Sequence, residues 1–152
     1  MRNCFVSLAL FLTLCFAASL NAAESNDSIY AYGKWKPEQL QPEVIRLCKS
    51  PHEKNRNLAA DLLSLYPAYF NVPTVLNVIP RLLTDTSFKV RLSALDAVDQ
   101  YASLPMLKEI GGLKALQELL PVVIELKKSP EKAVAARASI VAKNVTWRLD
   151  QK

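Results

Sequence analysis

The sequence of 152 residues is poor in glycine, histidine and cysteine, and each shortage excludes a class of protein. Three glycines are too few for a turn-rich β-sandwich or for a loop that wraps a phosphate group. One histidine is too few for most metal sites and for a relay that uses two imidazoles. Hydrophobic residues at 51% and charged residues at 22% exclude a mostly disordered chain. What remains is a globular helical protein whose nine prolines must lie where they do not break helices.

The first two dozen residues have the composition of a secretory signal peptide. Arg2 precedes an apolar run over 5–18, and small residues lead to Ala22 and Ala23. The apolar run is shorter than the ~20 residues that span a bilayer, which favours cleavage near Ala23 over a retained membrane anchor. We therefore expect an exported protein, periplasmic in a bacterium and otherwise secreted, with no stable transmembrane span after cleavage.

Removal of residues 1–23 leaves 129 of the 152 residues and changes the cysteine count. Cys4 and Cys15 leave with the signal peptide, so Cys48 is the remaining cysteine. No intrachain disulfide is then possible, and packing must stabilise the fold. An intermolecular disulfide through Cys48 stays open, as does the oligomeric state.

Beyond a non-helical arm over 24–41, the chain consists of amphipathic segments separated by short turns with proline or serine. The spacing of apolar residues predicts helices over 43–49, 51–65, 73–84, 87–103, 113–128 and 131–149. Ser50 and Ser129 are predicted to be N-caps in the turns of the first and last helix pairs, and Asp85 occupies the matching turn of the middle pair. The predicted fold class is all-α, with about three antiparallel helix pairs after the arm. An ordinary helical bundle is the alternative.

These three turns align the helix pairs as repeats. Nine positions after the turn residue, every unit has an alanine: Ala59, Ala94 and Ala138. Three positions before the turn residue, every unit has a leucine: Leu47, Leu82 and Leu126. Small residues let two helices approach closely while leucines fill the space between them. The recurrence predicts one helical unit repeated three times.

The middle unit resembles a HEAT repeat, a member of the armadillo-type α-helical repeats. Asp85, Val90, Arg91 and Ala94 have the spacing Asp-x(4)-Val-Arg-x-x-Ala, which is similar to the turn and second helix of that family. Pro80 lies midway along the first helix, where HEAT repeats often carry a kinking proline. The resemblance covers most of 42–152, the predicted repeat domain, and implies a short α-solenoid.

The same resemblance implies a structural role for the turn acid and the second-helix arginine. Asp85 and Arg91 are expected to bond the backbone or a neighbouring repeat, and Arg56 is the equivalent donor of the first unit. The outer units depart from the motif, because serine replaces the acid in both and Ala135 replaces the arginine in the last. End repeats are usually atypical because one side faces water.

Two clusters are candidates for binding a partner. The first is the aromatic part of the arm, whose rings would stack on a ligand or cover the open end of the first helix pair: Tyr30, Tyr32 and Trp35. The second is a basic cluster around the last turn, which would meet an acidic protein or anionic lipid or form an ordinary solvated face: Lys127, Lys128 and Lys132.

No catalytic residues, metal ligands or cofactor site are predicted. Cys48 and His52 lie four residues apart across a turn, but no third group at a recognisable spacing would orient them. Asp96 and Asp99 are typical of acids on a surface helix. We expect a non-enzymatic module that binds another protein and no nucleic acid. The alternatives are a protein that binds the envelope surface, through anionic lipid or cell wall, and a small Cys48-dependent enzyme.

Overall fold

The computed structural model describes residues 36–151, apart from the side chains of residues 37, 73, 76 and 77. The described residues form a 3₁₀ turn at Pro67–Tyr69, no strand, and six α-helices: α1 (Pro37–Cys48), α2 (Glu53–Leu65), α3 (Val72–Leu83), α4 (Phe88–Ala102), α5 (Gly112–Leu126) and α6 (Lys132–Asp150). The predicted all-α class is confirmed. The predicted signal peptide and residues 24–35 of the arm lie outside the described residues.

The helices pack as three pairs stacked side by side. Each odd-numbered helix packs on the helix that follows it, and the short turn between them makes the two antiparallel. The first helices of the pairs, α1, α3 and α5, also contact one another in order, and so do the second helices, α2, α4 and α6. The result is two layers of three helices, which confirms the predicted short α-solenoid of three helix pairs.

One hydrophobic core lies between the two layers, and the repeated columns of the sequence supply it. The alanine of each second helix is fully buried: Ala59, Ala94 and Ala138. Leu47 and Leu82 of the leucine column are buried as well, whereas Leu126 in the last unit is partly buried against the same core. The columns therefore predict correctly which side of each helix faces its partner.

Helix α1 begins at Pro37, six residues before the predicted start, so residues 37–41 of the predicted arm are helical. Proline fits the first helical position because its missing N–H has no partner there. The backbone N–H of Lys36 donates to Gln39 Oε1 at 3.0 Å, and Leu40 enters the core one turn before Val44. Pro42 suggested a boundary, but so near the helix start it removes a single backbone hydrogen bond.

Each first helix contains one interior proline, and no second helix does. The three prolines are Pro42 in α1, Pro80 in α3 and Pro121 in α5. The predicted place of Pro80 inside its helix is confirmed. An interior proline removes one backbone hydrogen bond and favours a bend, so the prolines that could bend helices are confined to the layer of first helices.

Candidate protein-binding surface

Arg56 joins the first helix pair to the second at their turns. Its Nη1 donates to the carbonyl oxygens of Ser50 and Pro51, at 3.1 and 2.9 Å, in its own turn. Its Nε and Nη2 donate to Asp85 Oδ2 and Oδ1, at 2.6 and 3.1 Å, in the next turn. This planar two-point contact fixes the distance between neighbouring units.

The electrostatics of this pair favour both charges. Burial disfavours the charged carboxyl of Asp85, but hydrogen bonds from Arg56 and from the Ser87 N–H outweigh it and lower the pKa of Asp85. The hydrogen bond to Asp85 in turn raises the pKa of Arg56. Only 14% of the Arg56 side chain and 7% of the Asp85 side chain are exposed. The pair is therefore shielded from solvent and ionised at neutral pH.

Arg91 repeats the arrangement between the second and third pairs. Its Nη1 donates to the carbonyl oxygens of Asp85 and Thr86 in its own turn. Its Nη2 lies 2.9 Å from Oε2 of Glu131 in the next turn. Ser129 donates its hydroxyl to the same Glu131 oxygen at 2.6 Å. We call Arg56, Asp85, Arg91 and Glu131 the arginine ladder.

The ladder corrects the predicted N-caps and locates the missing acid of the third unit. Helices α2, α4 and α6 begin three residues after the turn residues, with His52, Ser87 and Glu131 in the cap positions. Instead, Ser50 Oγ accepts from the His52 N–H and Asp85 Oδ1 from the Ser87 N–H. Side chains this short satisfy a backbone donor two residues on and shape the turn. The acid absent at position 129 is supplied two residues later.

A second polar seam crosses the layer of second helices. Arg137 on α6 donates from Nε to Asp96 Oδ1 at 2.6 Å and from Nη2 to Asp99 Oδ2 at 2.9 Å on α4. Burial alone would lower the pKa of Arg137, but the two carboxylates raise it. Asn144 adds a hydrogen bond to Asp99 at 2.8 Å. Sequence reasoning missed this role of the two acids, although their spacing of three residues on one helix face was the available signal.

An apolar groove opens where the connections between successive helix pairs meet. One wall is the 3₁₀ turn before α3, and the other is the segment between α4 and α5. The groove has a volume of about 440 Å³. Its apolar lining consists of Tyr69, Phe70, Val72, Leu104, Met106 and Ile110. We call this site the connection groove.

Three large side chains of the connection groove are exposed to solvent. Tyr69 is 39% exposed, Met106 54% and Ile110 41%. A soluble protein rarely groups large apolar side chains at its surface without a binding role. Sequence reasoning missed this site because its residues come from two connections about forty positions apart. The available signal was the presence of Met106 and Ile110 in a segment without helical periodicity.

Local backbone geometry holds one wall of the groove in place. Gly111 has φ of 71°, which favours glycine, and ends the turns that follow α4. A Cβ on Gly112 would lie 2.1 Å from Leu107 Cδ1, so α5 starts directly against this buried leucine. Arg148 Nη2 donates to the carbonyl oxygens of Leu104 and Pro105, at 2.8 and 3.1 Å. With Leu107 buried and the backbone held from α6, Met106 and Ile110 point outward.

The predicted partner-binding residues fall into two groups. The aromatic group lies outside the described residues: Tyr30, Tyr32 and Trp35. The basic group is exposed around the turn between α5 and α6: Lys127, Lys128 and Lys132. Lys128 forms an ion pair with Glu125 at 2.8 Å, and both line a cavity of about 400 Å³ that also contains Arg91 and Glu131. The cavity is therefore lined by charges of both signs.

Cys48 is buried at the end of α1. It is 1% exposed, and its Sγ lies 3.7 Å from the carbonyl oxygen of Val78 on α3. Burial raises the pKa of the Cys48 thiol. Thiolate is the reactive form of cysteine, so this position disfavours both nucleophilic catalysis and an intermolecular disulfide. His52 lies exposed at the start of α2.

A thiol reagent is expected to label Cys48 at least about 100-fold more slowly in the folded protein than in the unfolded protein, because local opening must come first. The measurement follows release of a coloured thiol at pH 7 from a chain without residues 1–23, in which Cys48 is the single cysteine. Equally fast labelling of both states would restore the Cys48-dependent enzyme as an explanation.

Residues 36–151 contain no group of three or more histidine, cysteine, aspartate and glutamate side chains that could hold a metal ion. Among the same residues, no helix combines the length and apolarity needed to cross a membrane.

Comparison with known proteins does not extend this description. No protein family model, curated protein or solved structure matches the chain. Its function must therefore be argued from its own surfaces.

Proposed function

We propose that this protein is an exported, non-enzymatic helical-repeat module of the HEAT type that binds another protein through the connection groove. The observation that carries the proposal is the exposure of Tyr69, Met106 and Ile110 in one concave site. Aromatic residues and methionine are enriched at the centres of protein interfaces. Export rests on the signal-like composition of residues 1–23.

The chemistry of the groove suits a peptide segment. Its apolar walls offer room for one or two large side chains, and Tyr69 is already oriented by an edge-on contact with the ring of Tyr66, with centroids 5.7 Å apart. Gln41 adds an amide side chain at the lining, and Asn71 offers its Nδ2, because its Oδ1 already accepts from the N–H and the hydroxyl of Thr74. Amide groups pair with the backbone N–H and C=O of a bound segment, which lipid tails lack.

The arginine ladder lies at the turns within the helix pairs, at the other end of the helices from the connection groove. It supports this function by fixing the spacing of the helix pairs whose connections form the groove walls. One wall connects the first and second helix pairs, and the other connects the second and third. Arg56 and Arg91 fix the spacing of these pairs through contacts at 2.6 to 3.1 Å. A groove formed by rigid walls loses less conformational entropy on binding than one formed by mobile loops.

Photo-crosslinking from the groove tests the proposal. We expect benzoyl-phenylalanine at position 106, in the full chain expressed in its native host, to yield a discrete crosslinked protein. The same group at Lys114, whose side chain is 82% exposed on α5, is the matched control and is expected to yield none. Adding Ile110→Glu should remove at least about nine-tenths of the product, because a charge in an apolar contact is costly. Equal crosslinking from both positions, or a product insensitive to Ile110→Glu, would contradict the proposal.

A further inference from the structure

The outer face of α6 presents two large apolar side chains to solvent. Ile140 is 52% exposed and Trp147 61%. They lie seven residues apart, which is two helical turns or about 10 Å along one face. The opposite side of α6 supplies the core through Val134, Ala138 and Val145. Core packing therefore does not require Ile140 or Trp147 to be apolar.

Three of the four equivalent positions in the other two units are polar, and the fourth is an alanine. Counted from the turn residue, Ile140 corresponds to Asp61 and Asp96. Asp61 accepts a hydrogen bond from Asn57, and Asp96 accepts one from Arg137. Trp147 corresponds in the same way to Ala68 of the first unit and Ser103 of the middle unit. At these positions the third unit has two large apolar side chains, and no described residue covers them.

Positive charge borders this apolar row. Lys132 and Lys143 are exposed on α6 and form no ion pair among the described residues. The arginines of the same helix are engaged elsewhere, Arg137 with carboxylates and Arg148 with backbone carbonyls. Asp150, at the last turn, is the exposed acid of this helix. We call Lys132, Ile140, Lys143 and Trp147 the α6 face.

We propose that the α6 face binds an acidic amphipathic helix of a partner protein. A helix laid along α6 would place apolar residues two turns apart on Ile140 and Trp147, and acidic residues beside Lys132 and Lys143. The inference rests on the proposed function, because it takes the chain to be a protein-binding module. It names a second surface, and it specifies the charge and secondary structure of what binds there.

The charges nearby favour a helix over a membrane or a second copy. Asp96, with 51% of its side chain exposed, and Asp99 lie on the neighbouring helix α4 in the same layer. A flat anionic bilayer covering the layer would meet both acids. Lys132 and Lys143 lie on the side of α6 away from Arg137 and Asn144, which contact α4, so a single helix can keep its acidic residues away from Asp96 and Asp99. Two α6 faces packed together would bring Lys132 and Lys143 of both copies into one interface, where like charges repel.

The experiment uses Trp147 as the reporter. Protein is purified from cells that express the full chain with Trp35→Phe, which leaves Trp147 as the single tryptophan. The probes are two synthetic 18-residue helical peptides with leucine at i, i+4, i+7 and i+11, flanked by glutamate in one and by lysine in the other. The glutamate peptide is expected to shift Trp147 emission to shorter wavelength. It should bind at least about tenfold more tightly than the lysine peptide at low ionic strength, and more weakly as salt is added.

Charge reversal supplies the decisive variant. Lys132→Glu with Lys143→Glu is expected to reverse the preference, so that the lysine peptide binds about tenfold more tightly. The matched control reverses two exposed lysines away from α6, Lys108→Glu with Lys114→Glu, and should keep the original preference. Equal binding of both peptides, or binding of neither, overturns the inference. So does a Trp147 shift with phosphatidylglycerol vesicles but not with the glutamate peptide, or a dimer in sedimentation that buries Trp147.

Failure here and failure of the proposed function have different signatures. If neither peptide binds but crosslinking from position 106 persists, the α6 inference alone is wrong. If the glutamate peptide binds with the expected charge dependence but position 106 yields no crosslink, the chain binds protein through α6 and the connection groove is the wrong site.

Discussion

Replacing Asp85 with alanine is expected to lower the free energy of unfolding by about 2–3 kcal/mol. The substitution removes both carboxylate acceptors of the Arg56 guanidinium and the acceptor of the Ser87 N–H. Arg56 then keeps its two turn carbonyls but remains a largely buried cation without a counter-charge. Urea unfolding of the variant and the wild type, followed by circular dichroism, measures the difference.

The pH dependence of this effect has a definite sign. The folded pKa of Asp85 lies below its ordinary value, so the carboxylate contributes stability that is fully present above the unfolded pKa of about 4. That contribution is lost as pH falls through the lowered pKa of the folded state. The stability difference between wild type and Asp85→Ala should therefore be constant near neutral pH and shrink in acid below about pH 4.

Glu131 provides the matched control for Asp85. It pairs with Arg91 as Asp85 pairs with Arg56, but 40% of its side chain is exposed. Water replaces a lost partner more readily at an exposed position, so Glu131→Ala should be clearly less destabilising than Asp85→Ala. Equal losses from the two substitutions, or a loss from Asp85→Ala that persists unchanged at pH 3, would show that the ladder does not stabilise the stack as its geometry indicates.

Replacing Leu82 with alanine is expected to lower the free energy of unfolding by about 3–4 kcal/mol, because a fully buried leucine leaves a cavity that its neighbours fill only in part. Leu82 lies in the middle unit, is 0% exposed and has helix pairs on both sides. Urea or thermal unfolding measures the loss, which should lower the melting temperature without changing the helical signal at 20 °C.

The control for Leu82→Ala is the leucine at the equivalent position of the last unit. This residue, Leu126, is only partly buried. Leu126→Ala should therefore cost about 1–2 kcal/mol, roughly half the loss at Leu82. If the two substitutions cost the same, the third unit packs as tightly as the second, and its outer side is more enclosed than the structure shows.

The fold of this protein could be predicted from its sequence because its core is built from local repetition. The columns of Ala59, Ala94 and Ala138 lie at helical spacing, and the structure buries all three. The arginine ladder was predictable in part. The sequence indicated that Arg56, Asp85 and Arg91 bond the backbone or the next repeat, and it did not indicate Glu131. Position 129, where an acid was expected, is serine, and the acid that replaces it lies two residues later. Only the conformation of the turn places that acid beside Arg91.

The binding surfaces were much less accessible to sequence reasoning. Met106 lies in a connection without periodicity, and its groove exists because Tyr69 from another connection lies opposite. Ile140 and Trp147 have the seven-residue spacing that normally indicates a buried helix face. Their exposure follows from which side of α6 the core occupies, and that depends on contacts with α4 and α5.

The sequence alone specifies the helical class, the number of helix pairs, the column of small residues between them and the signal-like start of the chain. Each of these features depends on residues close together along the chain, so spacing and composition suffice to reveal it. The tertiary structure decides which acid each arginine meets, where two connections enclose a groove and which side of α6 faces water. These features join residues that are distant in sequence, and only the packing of one helix pair on the next brings them together.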